Sequence, residues 1–132
     1  MSSAEIKANR PLSPHIQIYR WQLTMVMSIV HRVTGGALYF GMPLLAAWLV
    51  ALASGPGPFA TAQAIAGSWF GILVLFGYSW ALIHHMLGGL RYFVWDFGYA
   101  LGKPARDRIA FANLVLSIVL TLLVWAVALM LR

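Results

Sequence analysis

From Val33 to Leu90 the chain contains no Lys, Arg, Asp or Glu. A stretch this long without charge cannot cover a water-facing surface, so the fold has to be one that lipid solvates. Composition agrees. Of 132 residues, 61% are hydrophobic and 9% charged, with mean hydropathy +0.81, against about 45–50% apolar and about 25% charged in soluble domains. A cytosolic enzyme, a disordered tail and a nucleic-acid-binding module are therefore excluded, although the net charge is +6. With no cysteine in the sequence, this chain supplies no disulfide, no thiolate zinc site and no ligand to an iron–sulfur cluster. A redox metal held here would need histidine.

The strong break within the uncharged stretch is Ser54-Gly55-Pro56-Gly57-Pro58, read as a loop. A bilayer core of about 30 Å takes about 20 helical residues. Three spans follow: about 22–53, its uncharged part being Val33–Ala53; about 65–93; and 109–131, bounded by Arg106, Asp107 and Arg108 before it and by Arg132. The fold class is an all-α membrane protein with three transmembrane helices, preceded by a polar segment 1–20. Lys7, Arg10, Arg20 and Arg32 precede or open the first span, the Ser54–Ser68 connection is uncharged, and Arg91, Lys103, Arg106 and Arg108 join spans two and three. By the positive-inside rule this predicts N-in, C-out, with the segment 1–20 cytoplasmic. The basic excess then reads as an orientation signal and headgroup contact to membrane lipid, with no nucleic-acid partner.

Met1–Arg20 contains Pro11 and Pro14 and no apolar core ahead of a cleavage site, so no cleavable signal is read, and a bacterial inner membrane is favoured over a mitochondrial one. Pro43 is expected to kink the first span. Ala37-x-x-x-Gly41 and Gly67-x-x-x-Gly71 predict close helix approaches.

Ionisable groups within spans are costly and face a bundle interior, a cavity or a cofactor. His84 and His85 are adjacent in span two and point about 100° apart, so they cannot both serve one flat ligand. Gly88 and Gly89, three and four residues beyond His85, remove bulk where a haem bound to that imidazole would rest. His84 has Gly88 at i+4, and spacing leaves the choice between the two open. A neutral histidine bonded to a neighbouring carbonyl competes with either.

Ser28, His31 and Arg32 share one helical face. A hydroxyl and a guanidinium on one cavity suit a quinone carbonyl and the charge it gains on reduction, and His31 or Arg32 suits a haem propionate. The competing readings are a snorkelling Arg32 and a Ser28 bonded to its own helix. Arg91, Asp96 and Tyr99 lie at the inner end of span two, where Asp96 is a candidate proton relay. No nucleophile–base pair or phosphate loop is present, so catalytic residues are set at none, and hydride chemistry would belong to another subunit.

These residues resemble a known family, the cytochrome b membrane-anchor subunit of succinate dehydrogenase, respiratory complex II. The resemblance rests on Arg10-Pro11-Leu12-Ser13-Pro14-His15-Ile16-Gln17-Ile18-Tyr19-Arg20, on Ser28-Ile29-Val30-His31-Arg32-Val33-Thr34-Gly35, and on His85-Met86-Leu87-Gly88-Gly89-Leu90-Arg91 followed by Trp95-Asp96-Phe97-Gly98-Tyr99. It runs from about Arg10 to the end, the third span contributing only length and hydropathy.

The resemblance implies that His85, four residues before the Gly of Gly89-Leu90-Arg91, is the axial ligand of haem b. It implies further that Ser28, Arg32 and Asp96 belong to the ubiquinone site and that His31 lies near the haem propionates. Tyr92 stands where some relatives have histidine, which puts in doubt any proton role for that position. A second small membrane-anchor subunit is implied, sharing the haem and giving its other ligand, with an iron–sulfur subunit and an FAD flavoprotein that oxidises succinate. The basic face with Arg91, Lys103, Arg106 and Arg108 is expected to help dock that arm. The function expected is electron transfer from the iron–sulfur subunit to quinone. The alternatives are a haem-free structural anchor and the anchor of a quinol:fumarate reductase; a channel would need a charged pore stripe that spans two and three do not offer.

Overall fold

The computed structural model describes residues 19–131. The segment 1–18, with Lys7, Arg10 and most of the Arg10–Arg20 motif, and Arg132 lie outside the described residues. Four helices follow in order: α1 (Leu23–Ala53), α2 (Pro56–Gly67), α3 (Trp69–Asp96) and α4 (Lys103–Met130). α1, α3 and α4 are each long and apolar enough to cross a membrane, as the hydropathy pattern predicts. α1 has 31 residues, about 46 Å at 1.5 Å rise, and exceeds the hydrocarbon thickness, so its ends project or the helix tilts. It runs on both sides of Pro43 as one helix.

Two expectations are corrected. The Ser54–Ser68 connection is not a plain loop, because Pro56–Gly67 is helical. Pro56 sits in the first turn, where no backbone N–H is needed, and its fixed φ favours the helix; the Ala-rich run that follows then propagates it. Second, Gly67 and Gly71 are not one helical stripe. Gly67 ends α2, and Ser68 caps α3 by accepting a hydrogen bond from the Gly71 N–H (3.1 Å) while its hydroxyl donates to the Ile65 carbonyl (2.7 Å). α4 begins at Lys103, ahead of the apolar span 109–131, with Pro104 in its first turn. Charge ends an apolar run without ending a helix, so Arg106, Asp107 and Arg108 lie in the first turns of α4. Gly98 (φ 79°) and Ala100 (φ 56°) in left-handed conformation reverse the chain between α3 and α4.

Polarity is inverted relative to a soluble bundle. The buried residues include Met27, Ala81 and Ala110, but also Thr34, His84, Arg91, Asn113, Ser117 and Thr121, whereas Leu, Val, Ile and Phe cover the outside. Lipid satisfies the apolar exterior, and polar side chains find partners only inward. Buried positions recur about every three or four residues: Ala81, His84, Gly88 and Arg91 on α3 and Ala110, Asn113, Ser117 and Thr121 on α4. Such seams of mostly small residues let backbones approach closely. α3 packs on α4 along one side and on α1 along another. The predicted close approach at Gly41 is present: it is buried on α1 and Tyr78 of α3 occupies the space a Cβ would take there. The Tyr78 hydroxyl also reaches the Leu38 carbonyl (3.4 Å).

Candidate functional site

The 100° turn between His84 and His85 decides their fates. His84 points at α4 and is 0% exposed. Its Nδ1 lies 3.1 Å from the Ser117 hydroxyl oxygen, whose own proton goes to the Leu114 carbonyl at 2.8 Å. A hydroxyl has one hydrogen, so Ser117 accepts and His84 Nδ1–H donates. The Trp80 ring, 5.1 Å away between centroids, lies against the His84 ring. This imidazole is enclosed by its own chain, its Nε2 buried without a hydrogen-bond partner.

His85 points at α1 and stays half-buried. Its Nδ1 is 3.0 Å from the His31 carbonyl oxygen and 3.4 Å from the Thr34 hydroxyl, which itself donates to the same carbonyl at 2.9 Å. A carbonyl only accepts, so the bond to it puts the proton on Nδ1 and leaves the Nε2 lone pair available. That arrangement, one ring nitrogen donating to a backbone carbonyl and the other free, orients histidines that ligate metals. The His31 ring stacks on His85 with centroids 4.0 Å apart and planes 2° from parallel, and Tyr92 meets His31 edge-on at 5.3 Å.

Glycines permit this stack, but not as spacing suggested. A Cβ at Gly35 would come within 2.8 Å of His85 Cε1, and the space at Gly88 is taken by the His31 ring; a Cβ at Gly89 would meet nothing within 4 Å. Gly88 therefore makes room for His31, and Gly35, on the opposite helix one turn beyond His31, makes room for His85. The signal for Gly35 lay in its motif, where it follows His31 by four residues and so shares its face.

A cleft of about 460 Å³ opens between the N-terminal end of α1 and the α3–α4 turn, lined among others by Thr24, Ser28, Arg91, Tyr92, Trp95 and Arg106. Ser28 is thus placed on a cavity as its position predicts. Arg32 and Asp96 are exposed and are not among the lining residues, nor is Tyr99. Two guanidiniums line this cleft with Ser28, the exposed Arg106 and the buried Arg91, the latter grouped with Asp96 by the sequence pattern, which does not separate them. Arg91 is only 3% exposed, and its Cζ lies 5.2 Å and 5.6 Å from the Trp95 and Tyr92 ring centres. Among the described residues no three His, Asp or Glu side chains converge as a metal cage.

A helical bundle with an inverted interior, three helices long and apolar enough to cross a membrane and a polar cleft near one end of them defines an all-α membrane protein. The family described as succinate dehydrogenase/fumarate reductase transmembrane subunit matches residues 6–124, and the chain belongs to it. It is 44% identical over 117 residues to the succinate dehydrogenase cytochrome b556 subunit of Paracoccus denitrificans, covering 89% of this chain and 90% of that one. It is 36% identical over 123 residues to the cytochrome b556 subunit of Rickettsia felis, covering 92% and 94%. To the mitochondrial cytochrome b560 subunit of Sus scrofa it is 37% identical over 116 residues, covering 84% and 67%.

Proposed function

We propose that this chain is the membrane anchor of a succinate:ubiquinone oxidoreductase, that it shares a haem b through His85, and that it forms one wall of the quinone-reduction site. The observation that carries the haem assignment is the His85 Nδ1 bond to the His31 carbonyl, which leaves the Nε2 lone pair available. The His84 ring is fully buried. The residues present fit the group: one oriented imidazole, a glycine at its ring, and His31 stacked beside it. The relatives' description as cytochrome b subunits supports the same reading. Bound there, haem b supplies a one-electron redox centre within the membrane.

The rest is done by this chain's own side chains. The His31 carbonyl fixes the His85 tautomer, and Thr34 holds that carbonyl in place. Ser28 donates its hydroxyl proton to a quinone carbonyl in the cleft, and a cationic side chain stabilises the negative charge that oxygen gains. Arg32 and Asp96 belong to the same quinone site as groups on its rim, closed over by neighbouring subunits. His31 and Arg32 serve the haem propionates. Quinone takes two electrons and two protons to become quinol. The partners are a second small membrane subunit that gives the other haem ligand, an iron–sulfur subunit and an FAD flavoprotein. The chain sits N-in and C-out in a bacterial inner membrane.

Ser28→Ala removes one hydrogen bond to substrate, a loss of about 1 kcal/mol or roughly fivefold in kcat/KM for quinone. Steady-state kinetics of the purified complex should show that drop, while succinate oxidation by an artificial dye, which does not use the cleft, continues. Quinone kinetics equal to wild type would remove Ser28 from the site.

A further inference from the structure

Arg91 is the one cation in the cleft that is buried, and its burial is unexplained by anything around it. Its Nε and Nη1 atoms have no hydrogen-bond partner, the side chain is 3% exposed, and the cleft lining contains no carboxylate. Its nearest neighbours of note are the rings of Tyr92 and Trp95, which attract a guanidinium through their faces but accept no N–H bond in its plane. A charge held out of water with donors unpaired is costly by several kcal/mol, and such groups persist where a ligand completes them. The cleft also carries a second, exposed guanidinium at Arg106 and the Ser28 hydroxyl. Two cations, the hydroxyls of Thr24, Ser28 and Tyr92, and no anion line the cleft, which describes a receptor for an oxygen that is neutral on arrival and negative after reduction.

We propose that Arg91, and not Arg32 alone, is the group that stabilises the reduced quinone oxygen. Tyr92 and Trp95 hold the guanidinium plane, Ser28 donates to the same ring system, and Arg106 stands at the mouth. A planar fork already fixed by two rings loses little freedom on binding, so the stabilisation falls on the charged form. Arg91 is thereby a catalytic residue that touches substrate. This assignment rests on the cleft being the quinone site.

The test uses the whole complex in nanodiscs and two probes: a short-chain ubiquinone, neutral, and 2-hydroxy-1,4-naphthoquinone, anionic at neutral pH. Binding of each is titrated in wild type, Arg91→Gln, Arg91→Lys and Ser28→Ala, with haem absorbance as the check of assembly. Arg91→Gln is expected to weaken the anionic analogue roughly tenfold or more and the neutral quinone by less, as befits a hydrogen bond to a charged group. Arg91→Lys, which keeps the charge and loses the fork, is expected to weaken the anionic analogue several-fold, and it decides the matter should the glutamine variant not assemble. If Ser28→Ala weakens both probes while the Arg91 variants bind like wild type, the proposal is overturned and the cleft remains the quinone site. If no variant alters either probe, the quinone site lies elsewhere and both readings fall. A change in haem absorbance with both affinities intact would assign Arg91 to the haem and overturn the proposal.

Discussion

His85→Leu is expected to abolish the haem b absorbance contributed through this chain, whereas His84→Leu is expected to keep it. The two residues are neighbours in sequence, equal in chemistry, and differ in what their rings face. Leucine at 85 leaves no lone pair, and the His31 carbonyl retains its bond from Thr34, so the fold has no reason to fail. Leucine at 84 removes an internal hydrogen bond to Ser117 in a fully buried site. Burying an apolar side chain of similar volume there offsets the lost bond to within about 1–2 kcal/mol, a stability effect rather than a spectral one. A pyridine haemochrome assay on the purified complexes, with thermal melting alongside, separates the two. Full haem content in the His85 variant would refute the ligand assignment.

The second large effect is expected at Gly88. It is buried on α3 and the His31 ring occupies the position of its missing side chain. Gly88→Leu has to displace that ring, which is itself confined by His85 on one face and Tyr92 at its edge. Overpacking of this kind costs about 1–3 kcal/mol or more, and here it also drives His31 against the His85 ring. Both a lower melting temperature and reduced haem content should follow. Gly89→Ala, where an added Cβ meets nothing of this chain within 4 Å, should do neither to a comparable degree. A Gly88→Leu complex that melts and binds haem like wild type would show that α1 and α3 do not hold this contact in the assembly.

Hydropathy made the three spans legible because lipid imposes a simple demand: long uncharged helices. The same signal was blind to α2, since Pro56 and Pro58 read as breakers everywhere except in a first turn. Nor does it reach the helical residues Lys103–Arg108 ahead of the apolar span 109–131, because charge ends an apolar run without ending a helix. At the site, Ser28 was legible as a hydroxyl on a shared polar face, and the structure sets it on the cleft. Spacing alone could not choose between His84 and His85, because the decision lies in which neighbouring helix each faces, α4 with Ser117 or α1 with the His31 carbonyl. Gly35 shares the His31 face by its spacing, but the ring it makes room for lies across the helix pair, and the burial of Arg91 likewise comes from cross-helix packing. The inward polar seam of Asn113, Ser117 and Thr121 was equally silent, since hydroxyl and amide side chains scattered through an apolar span do not announce a common direction.

The angular offset between the two imidazoles gives α3 the character of a vernier. Deleting a single residue ahead of Trp80 while the N-terminal end of the helix stays anchored would swing each ring by about 100°, dialling both histidines out of their present alignments at one stroke. Indels in this stretch should therefore be far less tolerated than substitutions, even ones that leave hydropathy and length sufficient to traverse the bilayer.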